Sequence, residues 1–137
     1  METDVTSIAM SRSTTKGRWT GRILSGIAVL FMTFDAVLHI ANPAPVTQAF
    51  AQLDFPVALS ATIGVVALAC LALYLVPRTS FIGALLLTAY LGGATAIQVR
   101  ASAGLFPVIF PAIVATLLWA GLVLRRDDIR AVILGRS

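Results

Sequence analysis

Charge is scarce in this chain of 137 residues: 12% of positions are Asp, Glu, Lys or Arg, against about 25% in ordinary soluble domains, while 58% are hydrophobic. So few polar side chains cannot cover the surface of a water-soluble domain of 14.4 kDa, and disorder needs the opposite composition. Cysteine is nearly absent. Cys70 alone excludes an internal disulfide, a CxxC redox pair and a thiolate zinc site. The one histidine, His39, cannot build a zinc site within one chain, so no metal is expected, and bis-His haem would need a ligand from elsewhere. No strand and GxGxxG context surrounds Gly92 and Gly93, which read as helix packing, and nothing marks a nucleophile elbow. What the chain does have is apolar length, with a mean hydropathy of +0.94, and that makes it an integral membrane protein. A pI of 10.2 does not point to nucleic acid, because the bases sit beside apolar runs. The Arg-Arg-Asp-Asp-Ile-Arg run at 125–130 reads as a stop to translocation that meets anionic lipid.

Four apolar stretches, about 20–40, 56–76, 81–99 and 106–124, each approach the roughly 20 residues a helix needs to cross hydrocarbon. Backbone groups in lipid must be bonded internally, which leaves helices or a closed barrel, and the runs lack the alternation of barrel strands. The expected fold is therefore all-α: an antiparallel bundle of four transmembrane helices over residues 19–126. A flexible cytoplasmic tail is expected over 1–18 and a short one over 127–137. The first stretch is too long for a signal-peptide core, contains Asp35 and lacks a clear cleavage site. Every Lys and Arg except Arg100 falls on one side of this topology, Arg12 and Arg136 included. The excess predicts cytoplasmic termini in an inner membrane.

The connection 77–80 is short enough to make spans two and three antiparallel neighbours. In the longer 41–55 segment, Pro45 suits a first helical turn and Val46, Ala49, Phe50 and Leu53 follow at helical spacing. This predicts a short external amphipathic helix, with an irregular loop as the alternative. In span three, Thr88, Gly92, Thr95 and Gln98 recur at helical spacing, and Ala89 with Gly93 forms a small-xxx-small pair. That face is expected to pack inside the bundle or against a second copy in a homo-oligomer. Pro107 and Pro111 predict a bent or late-starting fourth span. No internal repeat supports an inverted-repeat transporter.

Several segments together resemble the DoxX-like family of small four-helix membrane proteins. They are Gly-Arg-Ile-Leu-Ser-Gly at 21–26, Phe-Asp-Ala-Val-Leu-His at 34–39, Tyr-Leu-Val-Pro-Arg-Thr at 74–79, Gly-Ala-Leu-Leu-Leu-Thr-Ala-Tyr-Leu-Gly-Gly-Ala-Thr-Ala at 83–96, Val-Arg at 99–100 and Trp-Ala-Gly-Leu-Val-Leu-Arg at 119–125. The resemblance covers residues 21–126. It implies a bundle in the cytoplasmic membrane and an association with quinone-linked or thiol-linked oxidoreduction beside a membrane redox partner. Where many relatives carry Lys, Glu and His, this chain has His39, Ala67 and Gln98, so a relay through span two lacks its acid.

A charge inside hydrocarbon costs at least about 2.5–3.5 kcal/mol at mid-helix, so each such residue invites a functional reading. Asp35 and His39, four apart, share a helix face. Gln98 and Arg100 end span three, while Asn42 and Asp54 flank the external segment, so the topology puts all six at one end of the bundle as candidate ligand-binding residues. Three roles compete. Asp35, His39 and Arg100 form a structural network; or the group binds a polar head such as a quinone ring or a lipid; or it begins an ion or proton pathway. The last has no titratable residue to continue it in the middles of spans two and four except Cys70, which reads as an inert side chain. The network reading pairs Arg100 with Asp35 and makes His39 a donor towards a ligand oxygen. The leading function is thus a non-catalytic or accessory membrane subunit that binds a quinone or lipid. A small oligomeric transporter or channel and a purely structural interaction protein are the alternatives.

Overall fold

The computed structural model describes residues 14–135. Arg12, Arg136 and most of the tail expected over 1–18 therefore lie outside the described residues. Among those described, helix α1 spans Thr15–Ala41, α2 Ala44–Gln52, α3 Ser60–Leu75 after one 3-10 turn at Val57–Leu59, α4 Ser80–Arg100, α5 Leu105–Arg125 and α6 Asp127–Ile133. The fold is all-α, and α1, α3 with its leading turn, α4 and α5 are long and apolar enough to cross a membrane.

Two boundaries differ from the sequence reading. Helix α1 begins at Thr15 rather than near Trp19, because Thr14 caps it: its Oγ1 accepts from the Gly17 amide at 3.1 Å. Residues 127–133, expected as tail, form α6, which buries Ile129 to 6% exposure and puts Asp127 and Asp128 in the first turn, where the helix dipole favours acids. The amphipathic segment folds as α2, with Pro45 in its first turn and Phe50 buried. Helix α5 starts at Leu105, without the late start that the prolines suggested, and carries Pro111 inside it.

The long helices run up and down in a ring. α1 packs on α3 and α5, and α4 packs on the same two, so α1 and α4 face each other across the diagonal. Close approach is set by glycines the sequence reading did not single out. A Cβ on Gly21 would stand 2.9 Å from the Gly121 carbonyl, one on Gly64 2.6 Å from the Ala36 carbonyl, and one on Gly83 would collide with the backbone of Tyr74. By contrast the Ala89, Gly92 and Gly93 face is not packed inside the bundle. All three are exposed, and a Cβ on either glycine meets nothing within 4 Å. Helices α4 and α5 are instead joined lower down, where Trp119 Nε1 donates to Thr88 Oγ1 at 2.8 Å and its ring meets Phe81 edge-on. A period of small residues marks a possible contact face; which face is buried depends on the neighbours.

The core is continuous through the lower bundle, from Met32 and Ala36 through Leu87, Leu118 and Leu122. Tyr74, 0% exposed, crosses it: its hydroxyl donates to the Leu118 carbonyl at 2.8 Å and lies 3.0 Å from Ser25 Oγ.

Candidate functional site

At the other end the four helices part around a cavity of about 560 Å³. Helices α1 to α5 all contribute. Phe31, Met32, Asp35 and His39 come from α1, Phe50 from α2 with Leu53 and Phe55 after it, and Ile63 from α3. Tyr90, Gly93, Ala94, Ile97 and Gln98 come from α4, and Phe106, Pro107, Phe110, Pro111 and Val114 from α5. Its exposed wall residues, Gly93 and Phe106 (70% exposed), mark where it reaches the surface of the bundle. Aromatic rings set the wall: Phe31 meets Phe110 edge-on at 4.9 Å, and Phe50 lies between His39 at 5.6 Å and Phe55 at 5.7 Å. Helix α2 is therefore the roof of the cavity, and burial of Phe50 on the imidazole holds it there.

The polar groups in this wall are few. The His39 Nδ1–H donates to the Asp35 main-chain carbonyl one turn back, at 2.8 Å, and stands 3.6 Å from the Asp35 carboxylate. Across the diagonal, the Tyr90 hydroxyl lies near that carboxylate. Gln98 completes the set. On α4 the positions 90, 93, 94, 97 and 98 share one face, and that is the face turned to the cavity. Tyr90 was missed by the sequence reading, which grouped Gln98 with Thr88 and Thr95. A phenol eight residues before Gln98, in an otherwise apolar span, was the signal.

The six candidates thus separate into two groups. Asp35, His39 and Gln98 line the cavity. Asn42, Asp54 and Arg100 do not; they build the connection above it. Asn42 ends α1 in the left-handed region (φ 52°), with its amide on the Leu38 carbonyl. Arg100 donates through Nη2 to the carbonyls of Leu53 (2.9 Å) and Asp54 (3.0 Å), which tie α2 to the end of α4. The expected Asp35–Arg100 pair is accordingly not formed: the α4 side chain near Asp35 is Tyr90, and Arg100, at the end of α4, has the carbonyls at the end of α2 within reach of its guanidinium. The expected relation of Asp35 and His39 on one face does hold, as an i, i+4 contact.

An apolar chamber of this size, ringed by aromatic side chains and carrying a small polar cluster on one wall, has the make-up of a small-molecule site. No curated protein and no solved structure matches the chain. Residues 23–121, which run from α1 to α5 and take in every residue of the cavity, match the DoxX-like family, and the chain belongs to that family of membrane proteins.

Proposed function

We propose that the protein is an accessory membrane subunit whose cavity holds an amphiphile with a cyclic polar head, of the quinone class, for a membrane redox partner. The observation that carries this reading is the cavity itself. Its volume of about 560 Å³ falls within the roughly 300–1,000 Å³ of small-ligand pockets, and its aromatic walls suit a ring. The exposed wall residues, Gly93 and Phe106, sit on membrane-spanning helices, so a lipid-soluble ligand can approach from the hydrocarbon. The Arg-rich end then faces the cytoplasm, following the excess of Lys and Arg there.

A conduit is the less favoured reading for a physical reason. Polar side chains would have to continue through the bundle, and below Tyr90 the space between the helices is filled by Leu87, Leu118 and Leu122, with Tyr74 across it. The test is purification in a gentle detergent, with mass spectrometry of bound lipids and quinones, for the wild type and for Gly93→Phe. A Cβ at 93 has open space, so the variant is expected to fold normally while its ring plugs the chamber. Loss of one co-purifying ring-bearing amphiphile in the variant supports the reading. Equal ligand content in both proteins, or no such ligand in either with solute flux in proteoliposomes, overturns it.

A further inference from the structure

Within this reading, which the inference presupposes, the geometry of His39 decides what kind of head group the cavity takes. A carbonyl oxygen only accepts, so Nδ1, at 2.8 Å from the Asp35 carbonyl, carries a proton. The tautomer of a neutral imidazole follows: the lone pair sits on Nε2. That nitrogen has no partner among the described residues and is not sealed by protein, while its ring lies in the cavity wall. The Asp35 carboxylate, by contrast, has the His39 Nδ1 3.6 Å away and the Tyr90 hydroxyl near it. On the neutral imidazole the vacant position at Nε2 is therefore an acceptor set in aromatic walls, with the Gln98 amide elsewhere in the same wall.

We propose that the cavity recognises a hydroxyl-bearing ring, a phenol or hydroquinone, whose O–H donates to His39 Nε2, in preference to the corresponding carbonyl or ether. An ammonium head would have to leave water for aromatic walls, and a carbonyl head would meet Nε2 lone pair to lone pair. In the hydroxyl complex the proton stays on the ligand oxygen and Nδ1–H keeps its bond to the Asp35 carbonyl, so binding moves no charge.

His39 is the chain's one histidine, so protein labelled with [¹⁵N]histidine, purified through a tag free of histidine and placed in phosphatidylcholine nanodiscs, shows a single imidazole. With a hydroxyl bound, its two nitrogens are expected to be unequal, Nδ1 the donor and Nε2 the acceptor. Addition of 4-octylphenol should move the Nε2 resonance, and its methyl ether, 4-octylanisole, should bind at least about five-fold more weakly, the worth of one hydrogen bond. His39→Phe keeps the edge-on ring against Phe50 and should bind the two compounds equally. An imidazole protonated on both nitrogens, or an ether that binds wild type as well as the phenol does, overturns the inference and leaves the occupied cavity standing. Failure of both compounds to bind overturns the cavity reading as well.

Discussion

The two ends of this bundle are built from the same four helices and differ in how many of their seams small residues close. At the Arg-rich end, glycines are where backbones touch: Gly21 lies on Gly121, and Gly83 on the turn at Tyr74. The Tyr74 hydroxyl joins α1, α3 and α5 there through Ser25 and the Leu118 carbonyl. Charge is matched across the edge, with Arg18 on Asp127 at 2.8 Å and Arg126 on Asp128 at 2.7 Å. Arg125 is covered differently. Its guanidinium lies 5.1 Å from the centre of the Tyr74 ring, and its Nε and Nη2 are sealed without a hydrogen-bond partner. At the His39 end Gly64 still seats α3 on α1 at Ala36 and His39, but on α4 Gly92 and Gly93 touch nothing, and the helices enclose a chamber. In lipid no hydrophobic force draws helices together, so close packing at one end has to hold the bundle while the other end stays open.

The comparison breaks most visibly if glycines at the two ends are exchanged for a larger side chain. A Cβ on Gly121 would stand 2.7 Å from the Ser25 amide nitrogen and 2.9 Å from the Gly21 carbonyl, both backbone atoms that move only with their helices. Gly121→Leu is expected to cost about 3 kcal/mol or more, at the upper end of overpacking penalties, and to abolish a cooperative melt in detergent. Gly92→Leu, with open space around it, should stay within about 1 kcal/mol of wild type and lean towards stabilisation through better helix propensity. Equal melting temperatures for the two variants would show that the closed end does not hold the fold.

A smaller effect sharpens the same contrast. Tyr74→Phe removes one buried hydroxyl that serves two partners, leaving Ser25 Oγ without its contact while the Leu118 carbonyl keeps its place in the α5 helix. The expected loss is about 1–2 kcal/mol in thermal unfolding, with ligand content unchanged. Tyr90→Phe, at the open end, should reverse that pattern: little change in melting, because the hydroxyl is a neighbour of one half-buried carboxylate, and altered ligand retention because the ring stays while one of the chamber's few polar groups is lost. If both variants changed melting equally and neither changed ligand content, the division of labour would be lost.

Much of this division was open to sequence reasoning, and the parts that were not share one cause. Apolar length alone gives the four spans, and the spacing of Val46, Ala49, Phe50 and Leu53 gives α2. Asp35, His39 and Gln98 come to one end because antiparallel topology fixes depth. Depth does not fix which helices are neighbours. Pairing Asp35 with Arg100 assumed the wrong neighbour on α4: across the diagonal Tyr90 is the side chain near Asp35, and Arg100 reaches the end of α2. The same gap explains the glycines: Gly92 with Ala89 has the period of a packed face, and Gly21, Gly64 and Gly121 have the contacts. Local spacing reports which residues share a face, and only the arrangement of neighbours decides what that face meets.

The least effect is expected at the rim of the closed end, and its sign follows from charge. The Arg126 guanidinium bonds Asp128 through Nε and Nη2 and holds its carboxyl down at about 2, below its ordinary 3.8. A depressed carboxyl stabilises the folded state when ionised, so the contribution is complete above about pH 4 and is lost as pH falls towards 2. Because the Asp128 side chain is 63% exposed, water screens the pair, and less than about 1 kcal/mol is at stake. Other carboxylates titrate in the same window, so the quantity to measure is a difference: the melting temperature of wild type minus that of Asp128→Asn, from pH 6 to pH 2. The difference should be small and positive at pH 6, shrink below pH 4, and flatten in about 1 M salt, where the screening length falls to roughly 3 Å. A difference that stays constant across the range would mean that the Arg126–Asp128 pair adds nothing to the closed end, whose hold would then rest on its glycine contacts, on Tyr74 and on the Arg18–Asp127 pair.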